Sequence, residues 1–347
     1  MATGKLNNLE SVTVSVMTFE PKVSILIPCY NAERWIAQAI ESALNQTYAN
    51  KEVIVIDDGS TDGSLEIIKQ YKEQIHWETQ VNQGGNYTRN RLLELSEGEW
   101  LQYLDADDYL LPEKIQHQVQ YLLQVPPIDL VYSPSILEYY ENGTCWQEVL
   151  AIPEPHDPWI LLARWYLPQT GSPLWRKQAI IDAGGWKVDQ PCCQEHELYL
   201  RLIIAGKKFA YFAQPESVYR QWSDLTVCKR DQLETRRQRL LIEDRIEKFL
   251  TEKGELTLQR QYAISQAQFD CARTIWLFNK PWARKIISTI KQSNPNFIPT
   301  GAAAPPLYSL TYRLFGFSSA EILALIKRIF SQELVVYQQG HKSKNYV

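Results

Sequence analysis

Acidic side chains cluster at two places in the first third of the chain. Asp57 and Asp58 follow one β-branched apolar run, and three more aspartates follow another at Asp105, Asp107 and Asp108. Three carboxylates within four residues repel one another unless a cation neutralises them. Asp105 and Asp107, two positions apart, would point to the same side of an extended segment. Carboxylate oxygens suit Mg²⁺ or Mn²⁺, which also accept phosphate oxygens, so this spacing indicates a divalent-cation site.

The residues after Asp57 exclude one kind of metal site. Positions 58–63 match the first ligands and the glycine of an EF-hand calcium loop, but its twelfth position is Lys69 instead of glutamate. A helix cap and a turn would account for Ser60 to Gly63, but not for two carboxylates at a strand tip.

Other site classes lack their signatures. The sequence contains no G-x-G-x-x-G, no G-x-x-x-x-G-K-[ST], no G-x-S-x-G and no H-E-x-x-H. A dinucleotide fingerprint, a P-loop, a serine hydrolase elbow and a zincin helix are therefore excluded. The cluster Glu195-His196-Glu197 reads as helical and lacks metal-site spacing.

Strands and helices must alternate to position these groups. Apolar runs predict strands at 23–28, 51–57, 75–81 and 100–104, and helical patterns fall at 32–46, 64–71 and 87–95. This order is typical of a parallel α/β sheet, whose ligands bind beyond the carboxyl ends of the strands. Both acidic clusters lie at such ends.

The remaining chain changes character. Residues 113–220 are mixed, with short strands at 130–132 and 209–212 and a helix from about Gln194 to Ala205. From 228 onward the pattern is helical, with helices predicted at 231–253 and 256–278, and the proline-rich segment 295–306 reads as a loop.

Charge divides the chain. Residues 1–227 hold 17 basic and 30 acidic side chains, a net charge of −13, whereas residues 228–347 hold 19 and 10, a net charge of +9. The basic part could face an anionic membrane or could simply be solvated helices, and the sequence leaves both open. It contains no recognisable nucleic-acid module, so we expect no nucleic-acid partner.

Composition indicates a folded cytoplasmic protein. The 347 residues are 45% hydrophobic and 22% charged, which excludes overall disorder. The N-terminus lacks the basic-then-apolar layout of a signal peptide. Six scattered cysteines without a CxxC pair read as reduced thiols.

Five motifs in fixed order carry a family resemblance: Val23-Ser24-Ile25-Leu26-Ile27-Pro28-Cys29-Tyr30-Asn31, then Val53-Ile54-Val55-Ile56-Asp57-Asp58-Gly59-Ser60-Thr61-Asp62, Asn82-Gln83-Gly84, Arg89-Asn90 and Leu104-Asp105-Ala106-Asp107-Asp108. Together they resemble the family 2 glycosyltransferases, which are inverting enzymes with the GT-A fold. The resemblance covers about residues 22–222. It implies an α/β fold with a mostly parallel central sheet flanked by helices, followed here by a C-terminal helical extension.

The resemblance also implies roles and boundaries. Pro28, Tyr30 and Asn31 would line the base pocket, Asp57 would hydrogen-bond the base, Arg89 would approach the nucleotide-sugar, Asp105 would hold the ribose and Asp107 would bind Mn²⁺ or Mg²⁺. We expect a tail at 1–22, a GT-A domain at 23–227 and a helical region at 228–347. Within the domain, 23–112 would be the nucleotide-binding half and 113–227 the acceptor half.

A later motif supplies the general base. Gly184-Gly185-Trp186, with the helix that starts at Gln194, resembles the family's Gly-Gly-Phe and Glu-Asp pair, which places Glu195 at the base position. Burial would raise its pKa and the helix dipole would lower it, leaving a base near neutrality. A capping acid is the alternative. Two departures stand out: Gln194 replaces the usual first acid, and Trp222 stands where a histidine often assists the metal.

The expected activity follows from these roles. The chain would transfer a sugar with inversion from a nucleotide-diphosphate donor, a UDP-sugar, to a saccharide or lipid-linked acceptor. Its place would be the cytoplasm, with peripheral contact at the inner membrane face as a further option. The alternatives are a catalytically weak nucleotide-sugar-binding protein and a helical interaction or membrane-docking module with a vestigial transferase domain. Tryptophans at 159, 165, 175 and 186 could stack on sugars or pack in the core.

Overall fold

The computed structural model describes residues 20–141, 143–222 and 231–342. Its strands, in chain order, are β1 (Val23–Cys29), β2 (Lys51–Asp57), β3 (His76–Thr79), β4 (Trp100–Tyr103), β5 (Tyr109–Leu110), β6 (Leu130–Tyr132), β7 (Ser135–Glu141), β8 (Thr144–Leu150), β9 (Leu174–Arg176), β10 (Phe209–Tyr211) and β11 (Ser217–Gln221). Its helices are α1 (Ile36–Leu44), α2 (Ser64–Gln70), α3 (Gly85–Leu95), α4 (Lys114–Leu122), α5 (Pro158–Ala163), α6 (Lys177–Asp182), α7 (Gln194–Ile204), α8 (Gln232–Lys253), α9 (Leu258–Trp276), α10 (Lys280–Ser293) and α11 (Pro306–Lys342).

A seven-stranded sheet forms the centre, in the order β10-β6-β9-β4-β1-β2-β3. Its strand pairs are parallel except those made by β9, which runs antiparallel to both β4 and β6. All seven residues of β1 are buried, as a central strand covered by helices on both faces requires. The predicted mostly parallel α/β sheet is confirmed.

The strand register brings the acidic clusters to one edge. Cys29 at the end of β1 lies opposite Asp57 at the end of β2, and Leu26 lies opposite Tyr103 at the end of β4. Because these strands are parallel, the residues that follow them leave the sheet on the same side. The segments beginning at Asp58 and Asp105 therefore share this edge.

A smaller sheet has four strands in the order β5-β11-β7-β8. Its strand β5 follows directly in the chain after the acidic segment 105–108. Strand β11 pairs antiparallel with β5, which begins directly after Asp108, and parallel with β7. Ser217 lies opposite Leu110 and Val218 opposite Tyr109, so the rest of β11 extends back towards the acidic segment. This pairing brings Arg220 to Asp108, as described below.

The C-terminal helical extension is confirmed as a fold feature. Helix α8 begins after Asp231, whose side chain accepts from Glu234 N–H over 2.9 Å, and it ends at Gly254 in the left-handed region with φ of 69°. Its Ile246 packs into the same core as Tyr199 of α7 and Ile264 of α9, and the later part of α9 shares a second core with α10 and α11 around Phe269.

Two predicted elements are shorter than expected, for identifiable reasons. Helix α1 begins at Ile36 instead of residue 32, after a turn in which the N–H groups of Trp35 and Ile36 both donate to the Ala32 carbonyl oxygen, over 2.8 Å and 2.9 Å. Strand β3 ends at Thr79 instead of residue 81, because the chain that follows turns to bind Asp58. The remaining strands and helices of residues 23–104 lie close to their predicted bounds.

The predicted domain boundaries remain predictions. Residues 1–19 of the expected tail and the boundary between 227 and 228 lie outside the described residues. Among the residues that the structure describes, no helix is long and apolar enough to cross a membrane.

Candidate active site

Two loops at the carboxyl edge of the sheet are joined by hydrogen bonds. The Asn31 N–H donates to Ser60 Oγ over 3.0 Å, and the Thr61 N–H donates to Asn31 Oδ1 over 2.8 Å. Asn31 has φ of 50°, in the left-handed region that asparagine tolerates better than most residues. The neighbouring Tyr30 is 53% exposed, so its ring is available to stack on a planar ligand.

The other two residues predicted for the base pocket are buried. Pro28 lies inside β1 opposite Ile56. Asp57 is 1% exposed, and its Oδ2 accepts from Thr79 Oγ1 over 2.9 Å. The structure therefore places Tyr30 and Asn31 on the loop surface, with Pro28 and Asp57 behind them.

Asp58 has a structural role that the sequence did not separate from that of Asp57. Its Oδ1 accepts from the Gln83 N–H and its Oδ2 from the Gly84 N–H, both over 2.9 Å. These bonds hold the loop that leads into α3. Gly59 lies against the same loop, with φ of 73°, and a Cβ there would approach Asn82 N to 2.8 Å.

Arg89, on α3, joins the two halves of the site. Its Nη2 donates to Asp105 Oδ1 over 2.7 Å, and its Nη1 donates to Gln194 Oε1 over 3.0 Å. The side chain is 10% exposed, and its guanidinium lies 5.0 Å from the ring centre of Trp186. Gln194 thus supplies a neutral acceptor where the family resemblance leads one to expect an acid.

The acidic segment after β4 is a turn, so the prediction that Asp105 and Asp107 share one side of an extended segment is wrong. The Asp108 N–H donates to the Asp105 carbonyl oxygen over 3.0 Å, which closes the turn. Asp105 faces Arg89, whereas Asp107 Oδ2 accepts from Trp222 Nε1 over 2.9 Å. Asp105 and Asp107 therefore have different partners.

Arg220, at the end of β11, holds this turn from the other side. Its N–H donates to Asp108 Oδ1 over 2.9 Å and its Nη1 to the Asp107 carbonyl oxygen over 2.8 Å. Its Nε donates to Glu138 over 3.1 Å, and its guanidinium lies 4.4 Å from the ring centre of Trp35. Arg220 is 2% exposed, so its charge is shared between the turn and Glu138.

The turn carries more negative charge than its partners offset. Burial raises the pKa of Asp107, and the charge of Asp105 raises it further. Burial and both neighbouring carboxylates raise the pKa of Asp108, whose Oδ2 has no hydrogen-bond partner among the described residues. A cation at this edge would relieve the repulsion.

The donor set fits a metal that is shared with substrate. The described residues contain no group of three or more His, Cys, Asp or Glu side chains placed to hold an ion. Mg²⁺ and Mn²⁺ need no such cage, because they bind through one or two carboxylates together with substrate phosphates and water. Asp107 is the residue that would hold it.

Helix α7 presents the predicted base. Glu195 lies in its first turn, and the carboxylate is 22% exposed. Burial favours its neutral form, but the neighbouring His196 and Arg89 favour the carboxylate more, so the pKa of Glu195 lies below its ordinary value. The expectation of a pKa near neutrality is wrong, and the group is ionised at neutral pH.

His196 packs beside the base. Its Nδ1 lies 3.6 Å from Glu195 Oε1, just beyond hydrogen-bond length, and its ring stacks on Trp165 with centres 3.7 Å apart. Arg239 of α8 covers Trp165 at 4.3 Å. Burial lowers the pKa of His196 below its ordinary value although the neighbouring Glu195 raises it, and the charge of Arg239 adds to the lowering.

Glu197 has a different environment two residues on. It is 3% exposed and pairs with Arg201 Nε at 2.8 Å and with Arg245 Nη1 of α8 at 3.1 Å. It therefore binds α7 to the C-terminal helices, whereas Glu195 does not.

A cavity of about 310 Å³ lies between the loop after β1 and the end of β11. Asn31, on the loop predicted to face the nucleobase, and Trp222, the partner of Asp107, both line this cavity.

Four tryptophans were expected either to stack on sugars or to pack in the core. Those at 159, 175 and 186 are buried in the core.

Sequence reasoning missed the Arg220–Glu138 pair. Arg220 belongs to the segment Tyr219-Arg220-Gln221-Trp222, which was available as a signal. Glu138 has no such signal, because it lies 82 residues away in an unpredicted strand.

Comparisons with known proteins agree with this architecture. Residues 24–171 match the sequence model of the family described as glycosyl transferase family 2. The putative glycosyltransferase EpsE of Bacillus subtilis is 29% identical over 222 residues, which is 62% of this chain and 77% of that protein. Several other curated relatives match over 105 to 114 residues only, and the chain spans less than half of their length.

Solved structures share the fold. TarS 1–349 of S. aureus, determined with UDP-GlcNAc, has a TM-score of 0.53 at 15% identity and covers 78% of this chain and 89% of its own. The mannosyltransferase PcManGT of Pyrobaculum calidifontis, determined with GDP-Man and Mn²⁺, has a TM-score of 0.51 at 17% identity, with 90% and 88% covered. At this identity the likeness establishes the GT-A fold alone.

Proposed function

We propose that this chain, whose residues 24–171 match the model of glycosyl transferase family 2, transfers a sugar from a nucleotide-diphosphate donor to a hydroxyl group of a saccharide or lipid-linked acceptor. A UDP-sugar is the donor we propose. The main support is the bridge made by Arg89, which joins Asp105 to Gln194, the residue directly before Glu195. This bridge links the nucleotide side of the site to the proposed general base, Glu195.

On the donor side, this proposal gives each loop a task. Tyr30 and Asn31 face the nucleobase, with Asp57 behind them, and Asp105 holds the ribose. Arg89 brings a positive charge to this edge and lies against Asp105, so it can also meet the negative diphosphate. A Mn²⁺ or Mg²⁺ ion held by Asp107 would offset the charge that develops on the leaving diphosphate.

On the acceptor side, Glu195 takes the proton from the attacking hydroxyl group. The acceptor oxygen then forms a bond to the anomeric carbon while the bond from that carbon to the diphosphate oxygen breaks. Because attack comes from the face opposite the leaving group, the anomeric configuration inverts. A carboxylate that is ionised at neutral pH and partly exposed suits this step, and Glu195 has both properties.

One observation favours a second candidate, a nucleotide-sugar-binding protein with little turnover. Trp222 donates to Asp107 Oδ2, and an indole cannot ligate a metal as a histidine would. The metal would then be held more weakly, and the leaving group would be less well stabilised.

A donor panel separates the two candidates. The full chain is mixed with Mn²⁺ and UDP-glucose, UDP-galactose, UDP-GlcNAc, UDP-glucuronate or GDP-mannose, with and without simple saccharide acceptors. Nucleotide release above the enzyme-free rate, lost with EDTA, supports a transferase. Calorimetric binding of a donor without nucleotide release supports the binding protein, and neither signal with any donor contradicts both.

The cellular location is part of the proposal. We keep the cytoplasm as the proposed compartment; the described cysteines, which form no disulfide with one another, are consistent with it.

A further inference from the structure

The outward face of α11 is apolar. On its inward side, Tyr308, Tyr312 and Phe317 are buried in the core shared with α9 and α10. On its outward side, nine large apolar side chains each expose between 41% and 70% of their surface: Leu307, Leu310, Leu314, Phe315, Ile322, Leu323, Leu325, Ile326 and Ile329. A helix exposed to water normally carries polar residues there, so this face requires a partner.

These side chains form continuous stripes. Leu307, Leu310 and Leu314 lie at spacings of three and four, on one side of the helical stretch before Gly316. After it, Ile322, Ile326 and Ile329 repeat that geometry. Gly316, with φ of 79°, interrupts the helix between the two stretches and sets their relative direction.

The exposed charges of residues 277–329 have one sign. Residues 277–329 contain seven basic side chains, all exposed: Lys280, Arg284, Lys285, Lys291, Arg313, Lys327 and Arg328. The single acid in that range, Glu321, is 2% exposed and accepts from Tyr308 and Arg273 in the core. Arg284 Nε lies 3.3 Å from Ser318 Oγ, which brings α10 close to the interruption in α11.

We propose that this face of α11, with the exposed cations of α10 and α11, docks on an anionic lipid surface. Such a surface offers both apolar depth for the leucines and isoleucines and negative headgroups for the lysines and arginines. A second copy of this chain fits less well. A two-fold contact would set the same exposed cations of the two copies against each other, which like charge disfavours.

The test is vesicle flotation of the full chain. Vesicles of phosphatidylcholine alone are compared with vesicles that also contain phosphatidylglycerol, at low and at high salt. Leu314→Ser/Ile326→Ser removes apolar contacts, and Lys327→Gln/Arg328→Gln removes charge. The control for the apolar pair is Val81→Ser/Leu123→Ser, which changes two exposed apolar residues distant in sequence from α11. The control for the charge pair is Lys69→Gln/Lys72→Gln, which changes two exposed cations near α2.

We expect wild type to float with the anionic vesicles and salt to weaken the binding. The apolar pair should lower the partition coefficient roughly 100-fold, since burying each side chain contributes about tenfold. The charge pair should lower it roughly 25-fold, about fivefold for each cation. Both controls should bind as wild type does.

Four results would overturn the proposal. Wild type that ignores anionic vesicles would do so directly, as would controls that weaken binding as much as the α11 variants. A stable dimer that Leu314→Ser/Ile326→Ser dissociates would make the face a contact between copies. A melting temperature that falls in that variant but not in its control would show that the chain covers the face itself.

Discussion

Two glutamates only two residues apart on α7 are expected to respond in opposite ways to the same substitution. Glu195 is 22% exposed, and the ionised form is favoured by His196 and Arg89. Glu197 is 3% exposed and carries two ion pairs. Replacing each by glutamine keeps the shape of the side chain and removes its charge. Glu195→Gln should therefore report on chemistry, and Glu197→Gln on stability.

The magnitudes follow from the contacts. Glu195→Gln removes a positioned base, which is worth roughly 10²- to 10⁴-fold in kcat, and it breaks no ion pair shorter than 3.6 Å. Glu197→Gln leaves Arg201 and Arg245 without their carboxylate. Removing one partner of a buried pair costs about 3–5 kcal/mol, and the lower end applies because Arg245 is 44% exposed and can turn to water. A loss of about 3 kcal/mol corresponds to a fall in Tm of roughly 5 °C.

Transfer kinetics and thermal melting, measured on both variants, check this prediction. The pH profile adds a third readout: because the pKa of Glu195 lies below its ordinary value, the part of the kcat/KM decline that Glu195→Gln abolishes should lie in that low pH range. If Glu195→Gln turns over normally while Glu197→Gln is inactive at a temperature where it is folded, the base has been assigned to the wrong carboxylate.

Two further predictions concern the acidic turn and a buried lysine. Asp107→Asn should lower the affinity for Mn²⁺ in the presence of UDP, measured by calorimetry, and should reduce turnover. Its Tm should change little, because Trp222 can still donate to the amide oxygen. An unchanged Mn²⁺ affinity would contradict the metal role of Asp107. Lys114 donates to Gln102 and Gln118 in the core, and burial lowers its pKa to about 7. Above that pH the unfolded chain keeps a proton that the native state has released, so the free energy of unfolding should rise by up to ~1.4 kcal/mol per pH unit towards pH ~9. Lys114→Met should remove this rise in denaturant titrations, and an equal slope in both proteins would contradict it.

The central sheet could be predicted because its signals are local. Strands β1 and β2 are short apolar runs with β-branched residues, and the alternation with helices follows from spacing alone. Asp57 and Asp105 could be placed at one edge for the same reason, since parallel strands end together. The family resemblance then added roles that no local pattern contains.

The second sheet could not be predicted, because its strands lack that signal. Strand β8 is exposed along its whole length and β5 has two residues, so neither shows a buried alternating face. The contacts within the site could not be predicted either, for a related reason. Arg89 and Gln194 lie 105 residues apart, and Asp107 and Trp222 lie 115 apart, so only the folded chain brings them together.

The C-terminal region takes part in supporting the base. Gln190 Nε2, in the loop before α7, donates to Gln238 of α8 over 3.0 Å, and Arg245 of α8 pairs with Glu197. These contacts, with the Arg239 guanidinium over Trp165, reach α7 at its start, on its buried face and beside His196. A docking module attached to a vestigial domain would not need to brace the helix that carries Glu195.

The two proposals constrain each other through the choice of acceptor. A saccharide free in solution would meet the site at the same rate whether or not α11 touches a membrane. A lipid-linked acceptor would be confined to the same surface as the enzyme, and confinement raises its effective concentration without any new contact in the site. Docking through the apolar and basic face of α11 therefore favours the lipid-linked acceptor over the free saccharide. The vesicle experiment thus also decides which acceptors to test first.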